Sequence, residues 1–339
     1  MKSHLILTPT TNMTEAEWHY FRFVNGLGAS DIGCVLGLTA SWKSPIELFY
    51  QKLDPAKCAQ EENIFMFFGN EMEEWICNTW QYWSGNTKSL IENKNASNIV
   101  RKCQRVNAFV QNPKYPWLYV SLDRKINKDA NGQEGALEAK WISGWVANKF
   151  EQGIPPSHMI QVQTQLLVSE LEFGELATVV DGHSFDVYEY KPDAELFEII
   201  ATRTKDFWDR VLAARIITTQ IHEATISHNG KLKQKLEFEL AELEPALIGG
   251  DAEELFLKNK FKKSLDKSIG VIKGTDEDLA TARKLKDVKD QMKALAEEAS
   301  LHENILKRRI GEGIAIDLGK NGKVKWEGNP KRFYNLVKL

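Results

Sequence analysis

The cysteine patterns that hold metals are missing from this chain. Its four cysteines, Cys34, Cys58, Cys77 and Cys103, show no C-x-x-C spacing and no companion histidine cluster. That argues against zinc and, in a chain of 339 residues, favours reduced thiols over a disulfide framework. Charge of one sign is also lacking: the net charge of -3 gives no global signature of a nucleic-acid binder, although a local basic groove on a mildly acidic body stays compatible with it. No apolar run approaches the roughly 20 residues needed to span a bilayer, and no basic-then-apolar signal pattern opens the chain. No repeat or low-complexity tract is present. The sequence therefore predicts a soluble cytoplasmic protein. What is present, 42% hydrophobic and 27% charged residues, is a globular composition, long enough for one large domain with an appendage.

Taken in order, Thr14 and Glu17 have capping-box spacing and predict a short helix over 14–24. The small-residue stretch Gly26-Leu27-Gly28-Ala29-Ser30-Asp31 lets backbone approach a ligand or a neighbour, and Ser30 or Asp31 is expected to cap the next helix. Pro45 opens a helix through Lys52, a polar linker covers 53–62, and a longer helix spans about 63–84. The aromatics of that helix, Phe65 to Phe68 included, read as core. Residues 85–111 read as strands with a turn at Gly85-Asn86, 117–122 as a strand and 136–141 as its hairpin partner across the Asn131-Gly132 turn. A glutamine-bearing helix over 156–170, a hairpin around Asp181-Gly182-His183 and an amphipathic helix over 193–215 follow.

Near residue 218 the aromatics thin out and a Lys/Glu-rich helical pattern takes over, with a lysine cluster at 258, 260, 262, 263 and 267. Leu285, Val288, Met292, Leu295 and Ala299 repeat at coiled-coil-like spacing. The chain closes on an expected hairpin turning at Asn321-Gly322. The expected organisation is a domain over 1–217 and a helical extension over 218–339.

The chemistry concentrates in Asp123 and in Glu138-Ala139-Lys140. In a strand, alternate side chains share a face, so Glu138 and Lys140 point the same way, and a paired neighbouring run would bring Asp123 to them. Two carboxylates and an ammonium there make a site for a hard divalent ion, with the lysine placed to orient water or handle its proton. Taken without the flanking motifs, the same residues read first as a surface ion pair on a strand.

With Gly69-x-x-x-Glu73 and the Gly-x-Ser-Asp turn upstream and the glutamine helix downstream, this order resembles the YqaJ-type viral recombinase domain, the lambda-exonuclease branch of the PD-(D/E)xK nucleases, over about residues 15–212. The resemblance implies an α/β (α+β) restriction-endonuclease-like core, a central mixed sheet flanked by helices, with a helical C-terminal extension. It implies Asp123, Glu138 and the Ala139 carbonyl as metal ligands for two Mg²⁺ ions, with Mn²⁺ as substitute. Lys140, Glu73 (rather than Glu71) and Gln163 (with Gln161 as alternate) complete the catalytic set. Ser30 and Arg22 resemble a pocket for the 5′-phosphate of the digested strand, and Lys43, Lys125, Lys140 and Lys149 are candidates for DNA-backbone contacts. The implied function is 5′→3′ digestion of 5′-phosphorylated duplex DNA to mononucleotides, leaving a 3′ strand for phage-type annealing recombination. A trimeric ring, a single-strand annealing protein as partner, and a phage or prophage origin in a bacterial host come with it. The alternatives are an endonuclease or repair nuclease on the same core, including the iron–sulfur kind, and a non-catalytic DNA-binding scaffold.

Overall fold

The computed structural model describes residues 1–39, 42–54, 64–129, 131–150, 153–261, 273–321, 323–327 and 332–334. Cys58, most of the expected linker, Lys262, Lys263, Lys267 and Gly322 lie outside the described residues. The chain divides into two compact units, Met1–Lys263 and Ser264–Leu339.

The first unit is built on two sheets. Strands β1 (Ile6–Pro9), β2 (Leu27–Gly28), β4 (Ala108–Gln111) and β5 (Leu118–Val120) form one, in the order β1-β4-β5-β2. Strands β3 (Cys103–Gln104), β6 (Arg124–Ile126), β7 (Gly135–Ile142), β8 (Phe173–Val180) and β9 (Ser184–Tyr190) form the other, in the order β3-β6-β7-β8-β9. The expected hairpin partner of β7 is corrected by this topology. The run 117–122 pairs with β4 and β2, and β6 is what pairs with β7, Arg124 opposite Leu137. The chain changes sheets at Ser121–Asp123. Continuous strand-favouring composition on both sides hides that switch from a pattern reading.

Helices α1 (Glu15–Val24), α2 (Ala29–Val35), α3 (Pro45–Gln51), α4 (Ile64–Trp80), α5 (Thr87–Asn95), α6 (Gly144–Ala147), α7 (Pro156–Ser169) and α8 (Ala194–Ile226) surround the sheets. Thr14 caps α1 with the expected capping box, and Ser44 caps α3 ahead of Pro45. Residues 87–95 are helix, not strand: the Asn86 side chain accepts from Ser89 N at 2.9 Å and fixes a first turn that the polar sequence then continues. In α2 the cap position is Gly28, whose N–H reaches Asp31 Oδ2 at 3.2 Å, so Ser30 sits inside the first turn and not at the cap.

β7 and β8 run parallel over eight paired positions, Gly135–Ile142 with Phe173–Val180, and α7 is the crossover between them. One core fills the space among α2, α3, α7, α8 and the four-stranded sheet, around Leu27, Phe49, Leu118 and Val211. Another lies between α4, α5 and the five-stranded sheet, where Trp80 is fully buried and donates Nε1–H to Glu175 at 2.7 Å. The composition change near 218 falls inside α8, which continues to Ile226. Helices α9 (Gly230–Glu242) and α10 (Asp251–Lys260) belong to the first unit, with Lys260 Nζ 2.7 Å from Glu244 and 2.6 Å from Tyr50 of α3.

The second unit holds α11 (Asp276–Ile310) and a small sheet of β10 (Ala315–Asp317), β11 (Lys323–Glu327) and β12 (Arg332–Tyr334). The antiparallel pairing of β10 with β11 is the expected closing hairpin, extended by β12. Leu285, Val288, Met292 and Leu295 of α11 are all exposed. Among the described residues, no helix is long and apolar enough to cross a membrane.

Gly26 is required by this packing. Its φ is +116°, and an added Cβ would lie 2.1 Å from the Trp117 carbonyl oxygen, the acceptor for Leu27 N that starts the β2–β5 pair. Gly26→Ala is expected to destabilise the protein by about 1–3 kcal/mol or more, read as a lower urea midpoint at unchanged slope. A midpoint equal to wild type would contradict the clash.

Candidate active site

Asp123 stands in the crossing between the sheets, and Glu138 and Lys140 alternate along β7, the central strand of its sheet. Ala139, between them, donates its N–H to Asp123 Oδ2 at 2.8 Å, so the strand that carries one carboxylate also orients the other. Glu138 is 1% exposed. Gln161 Nε2 donates to its Oε1 at 2.6 Å, Gln165 Nε2 to its Oε2 at 2.5 Å, and Lys140 Nζ lies 2.5 Å from Oε1. A buried carboxylate is costly unless its oxygens are taken up, and here they are.

Gln163 is therefore corrected as a site residue. Its Nε2 donates to the Lys191 carbonyl at 2.8 Å and its Oε1 accepts from Asp193 N at 3.2 Å, bracing the start of α8. The reason is helical phase: Gln161 and Gln165 are four residues apart and share a face, whereas Gln163 lies about 200° round from Gln161. Glu73, and not Glu71, lines the cavity beside Asp123 and Glu138. Arg124 holds it, Nη1 to Glu73 Oε1 at 3.0 Å, while Nη2 reaches Glu74 at 2.8 Å. No motif singled out Arg124 or Gln165 in the sequence, because their roles follow from register and helix phase.

The same cavity is lined by Arg22, Ser30, Trp18, Tyr119 and Trp141. Ser30 is exposed to it. Arg22 lies over the Trp18 ring at 4.5 Å and donates Nε–H to the Tyr119 hydroxyl at 3.1 Å. A buried strut that the sequence did not suggest fixes this side: Lys52 Nζ donates to the carbonyls of Arg22 and Gly26, each at 3.0 Å, and lies 3.2 Å from Asp31 Oδ2. Phe65 and Met66 also line the cavity. Phe65 is 82% exposed, so the expected core role of the 65–68 aromatics is corrected, since the apolar run starts α4 on its solvent side. Of the lysines considered for DNA contact, Lys125 is buried with its Nζ 2.6 Å from Glu134, which removes it from that set. Lys43 is drawn toward Asp31 at 3.9 Å.

Asp123, which is partly buried, and Asp31, which is buried, have opposite electrostatics. Burial pushes the Asp123 carboxyl up, and Glu138 and Glu73 push it further, so it stands well above the ordinary carboxylate range despite Lys140. Burial also acts against the ionised form of Asp31, but Lys52, Lys43 and Arg22 outweigh it and hold that carboxyl well below its usual value. Lys140 is pulled down by burial and raised more by Glu138 and Asp123, which keeps it an ammonium above its ordinary value. Burial, with Lys140 nearby, depresses His158 to about 3, so its ring is neutral at physiological pH.

Asp123, Glu138 and the Ala139 backbone offer hard oxygen donors, and the carboxylate crowding that raises Asp123 is what a bound divalent cation would relieve; the donor set fits Mg²⁺ or Mn²⁺. Among the described residues, no three His, Cys, Asp or Glu side chains already converge on one point. Glu73 turns to Arg124, and the Lys140 ammonium occupies the flank of Glu138. Cys34, Cys77 and Cys103 are free thiols.

A family model described as the YqaJ-like viral recombinase domain matches residues 17–172. Over these residues the chain is similar to that domain. The match spans α1 through α7 and so contains every residue of the cavity named above. The uncharacterized protein YqaJ of Bacillus subtilis strain 168 is 25% identical over 312 residues, 90% of this chain and 81% of the relative. Among solved structures, LHK-Exo in complex with dAMP aligns at a TM-score of 0.47 with 18% identity, over 62% of this chain and 98% of its own. A phage related exonuclease from Haemophilus somnus 129PT aligns at 0.37 with 10% identity, over 56% and 95% of the two chains.

Asp123 yields a pH test. Its folded-state value lies above its unfolded one, so the folded protein holds that proton more tightly, and the ionised form costs stability that grows as pH rises through the carboxylate range. With divalent ions chelated, Asp123→Asn is expected to melt higher than wild type at pH 8, by about 2–4 °C for each kcal/mol relieved, and to lose that advantage toward pH 4. An N variant that melts no higher at pH 8 would show that the site does not carry this repulsion.

Proposed function

We propose that this protein is a Mg²⁺-dependent nuclease that digests duplex DNA from 5′-phosphorylated ends, releasing 5′-mononucleotides and leaving 3′ single-stranded tails for annealing recombination. The observation that carries the reading is one cavity shared by two sets of groups: Asp123, Glu138, Lys140, Glu73 and Gln161 on one side, and Ser30 with Arg22 on the other. The first set suits hydrolysis at phosphorus and the second suits a terminal phosphate monoester. The family resemblance supports a ring-forming homo-oligomer and a single-strand annealing protein as partner.

A bound divalent cation supplies neutralisation of the phosphate oxygens and a lower pKa for the attacking water. The chain supplies position and charge. Asp123 is aimed by Ala139 N–H, and Glu138 by Gln161 and Gln165. Lys140, held as an ammonium, stabilises negative charge as it builds on the non-bridging oxygens. Water adds to phosphorus, the P–O3′ bond of the terminal nucleotide breaks, and the leaving 3′-oxygen takes a proton. The product keeps its own 5′-phosphate, and the shortened strand now begins with one. The Ser30 hydroxyl and the Arg22 guanidinium suit that new terminus, so each cut regenerates the group that they bind.

Linear duplex with and without 5′-phosphates, and a covalently closed circle, incubated with Mg²⁺ or EDTA, test this reading. Mg²⁺-dependent loss of phosphorylated linear DNA with an intact circle is expected. Cleavage of the circle would favour an endonuclease, and no Mg²⁺-dependent loss would favour the scaffold. Lys140→Ala should lower turnover by at least about 100-fold with binding retained, and Ser30→Ala should narrow the preference for phosphorylated ends. An unchanged preference would remove Ser30 from end recognition.

The two glutamines separate in a second assay. Gln161→Ala should lose about 10- to 100-fold in turnover through a misplaced Glu138, whereas Gln163→Ala should keep turnover and lower the melting temperature. The reverse pattern would restore Gln163 to the site.

A further inference from the structure

We infer that Trp141 and Trp145, with Lys149, form a stacking platform for unpaired nucleobases at the mouth of the reactive cavity. The inference rests on the nucleic-acid reading above and adds a single-strand site to it. Trp145 is 72% exposed and Trp141 is 40% exposed. Indoles are the largest apolar side chains, and leaving two of them in water within one short segment forfeits burial that the fold elsewhere obtains from tryptophan, as at Trp80.

The placement of Trp141 is tied to the site, and Trp145 follows it four residues later at the start of α6. Trp141 follows Lys140 on β7 and lines the cavity with Asp123 and Glu138. Its outer edge lies against the β8–β9 turn, where a Cβ on Gly182 would come within 3.3 Å of Cη2. Trp145 is carried by α6, which is fixed in place and not loosely attached. Gly144 N donates to Asp181 Oδ1 at 2.6 Å, Ser143 Oγ accepts from Val146 N at 3.3 Å, and a Cβ on Gly144 would lie 2.0 Å from Asp181 Oδ2. The Trp141 ring and the backbone of the helix that carries Trp145 thus both meet the turn that joins β8 to β9. Lys149 Nζ stands 3.2 Å from the Trp145 ring centroid, which puts a positive charge beside the exposed π-surface.

That pairing of aromatic face and ammonium matches the chemistry of single-stranded nucleic acid, in which every base offers a π-face and every linkage a phosphate. In an intact duplex the faces are stacked away and the platform has no base to hold. A strand that has lost its partner next to the scissile linkage exposes them. The platform is therefore expected to hold unpaired nucleotides beside the cavity while the other strand is shortened.

The test uses the full chain in EDTA, where no hydrolysis intervenes, and a short homothymidine oligonucleotide as the probe. Binding is read by quenching of tryptophan fluorescence and independently by anisotropy of a labelled oligonucleotide. Trp145→Ala is expected to weaken oligonucleotide binding about 10-fold or more, Trp145→Phe to recover most of it, and Trp141→Ala with Trp145→Ala to weaken it further. Binding of closed circular duplex should stay unchanged. Wild-type affinity in the double variant would overturn the platform, and so would an equal loss on closed duplex, which would assign these residues to backbone contact. The nuclease reading stands or falls separately. Tryptophan-dependent oligonucleotide binding without Mg²⁺-dependent digestion keeps the platform and removes the nuclease. Digestion with unchanged oligonucleotide binding does the opposite.

Discussion

A carboxylate placed where water cannot reach it must be solvated by the protein, and Glu138 is that carboxylate. Its two oxygens are met by Gln161, Gln165 and Lys140, and the first two come from one face of α7. α7 can present that face because it is the crossover between two parallel strands paired over eight positions. The sheet, the crossover and the reactive cluster therefore constrain one another. A shift of α7 by one residue would turn both amides away and leave a buried charge unpaired, a loss on the order of several kcal/mol.

The two sides of the cavity solve opposite electrostatic problems with the same residue type. Asp31 is surrounded by Lys52, Lys43 and Arg22, and its negative charge is matched within the protein. Asp123 faces Glu138 and Glu73 with Lys140 as counterweight, so negative charge there stays in excess. One side is electrically complete and serves to hold backbone in place. The other is left short of positive charge, a deficit that the proposed divalent cation would make up.

What the sequence disclosed followed from strict periodicity. Glu138 and Lys140 share a face because a strand alternates, whereas Glu73 was named by the family resemblance through its four-residue step from Gly69. The capping box at Thr14 and the proline start at Pro45 were legible for the same reason: the signals are local and chemical. Gln163 was misplaced because a helix spreads alternate glutamines over different faces, and phase cannot be set without knowing which face meets the sheet. The break between β5 and β6 was hidden because strand propensity does not report which sheet a strand joins. Lys52 carried no motif at all; its role depends on two carbonyls and a carboxylate brought together from α1, the Gly26 turn and α2.

The β7–β8 ladder and the β2–β5 ladder differ in length, eight paired positions against two. Long central ladders exchange their amide protons only when the whole domain opens, whereas a two-residue pairing at a sheet edge opens far more often. The carboxylate side of the cavity thus has the lifetime of the fold itself, while the Ser30 side keeps time with a short, glycine-hinged edge that Lys52 steadies. A folded molecule would spend part of its existence with the carboxylate cluster formed and the Ser30 side of the cavity open.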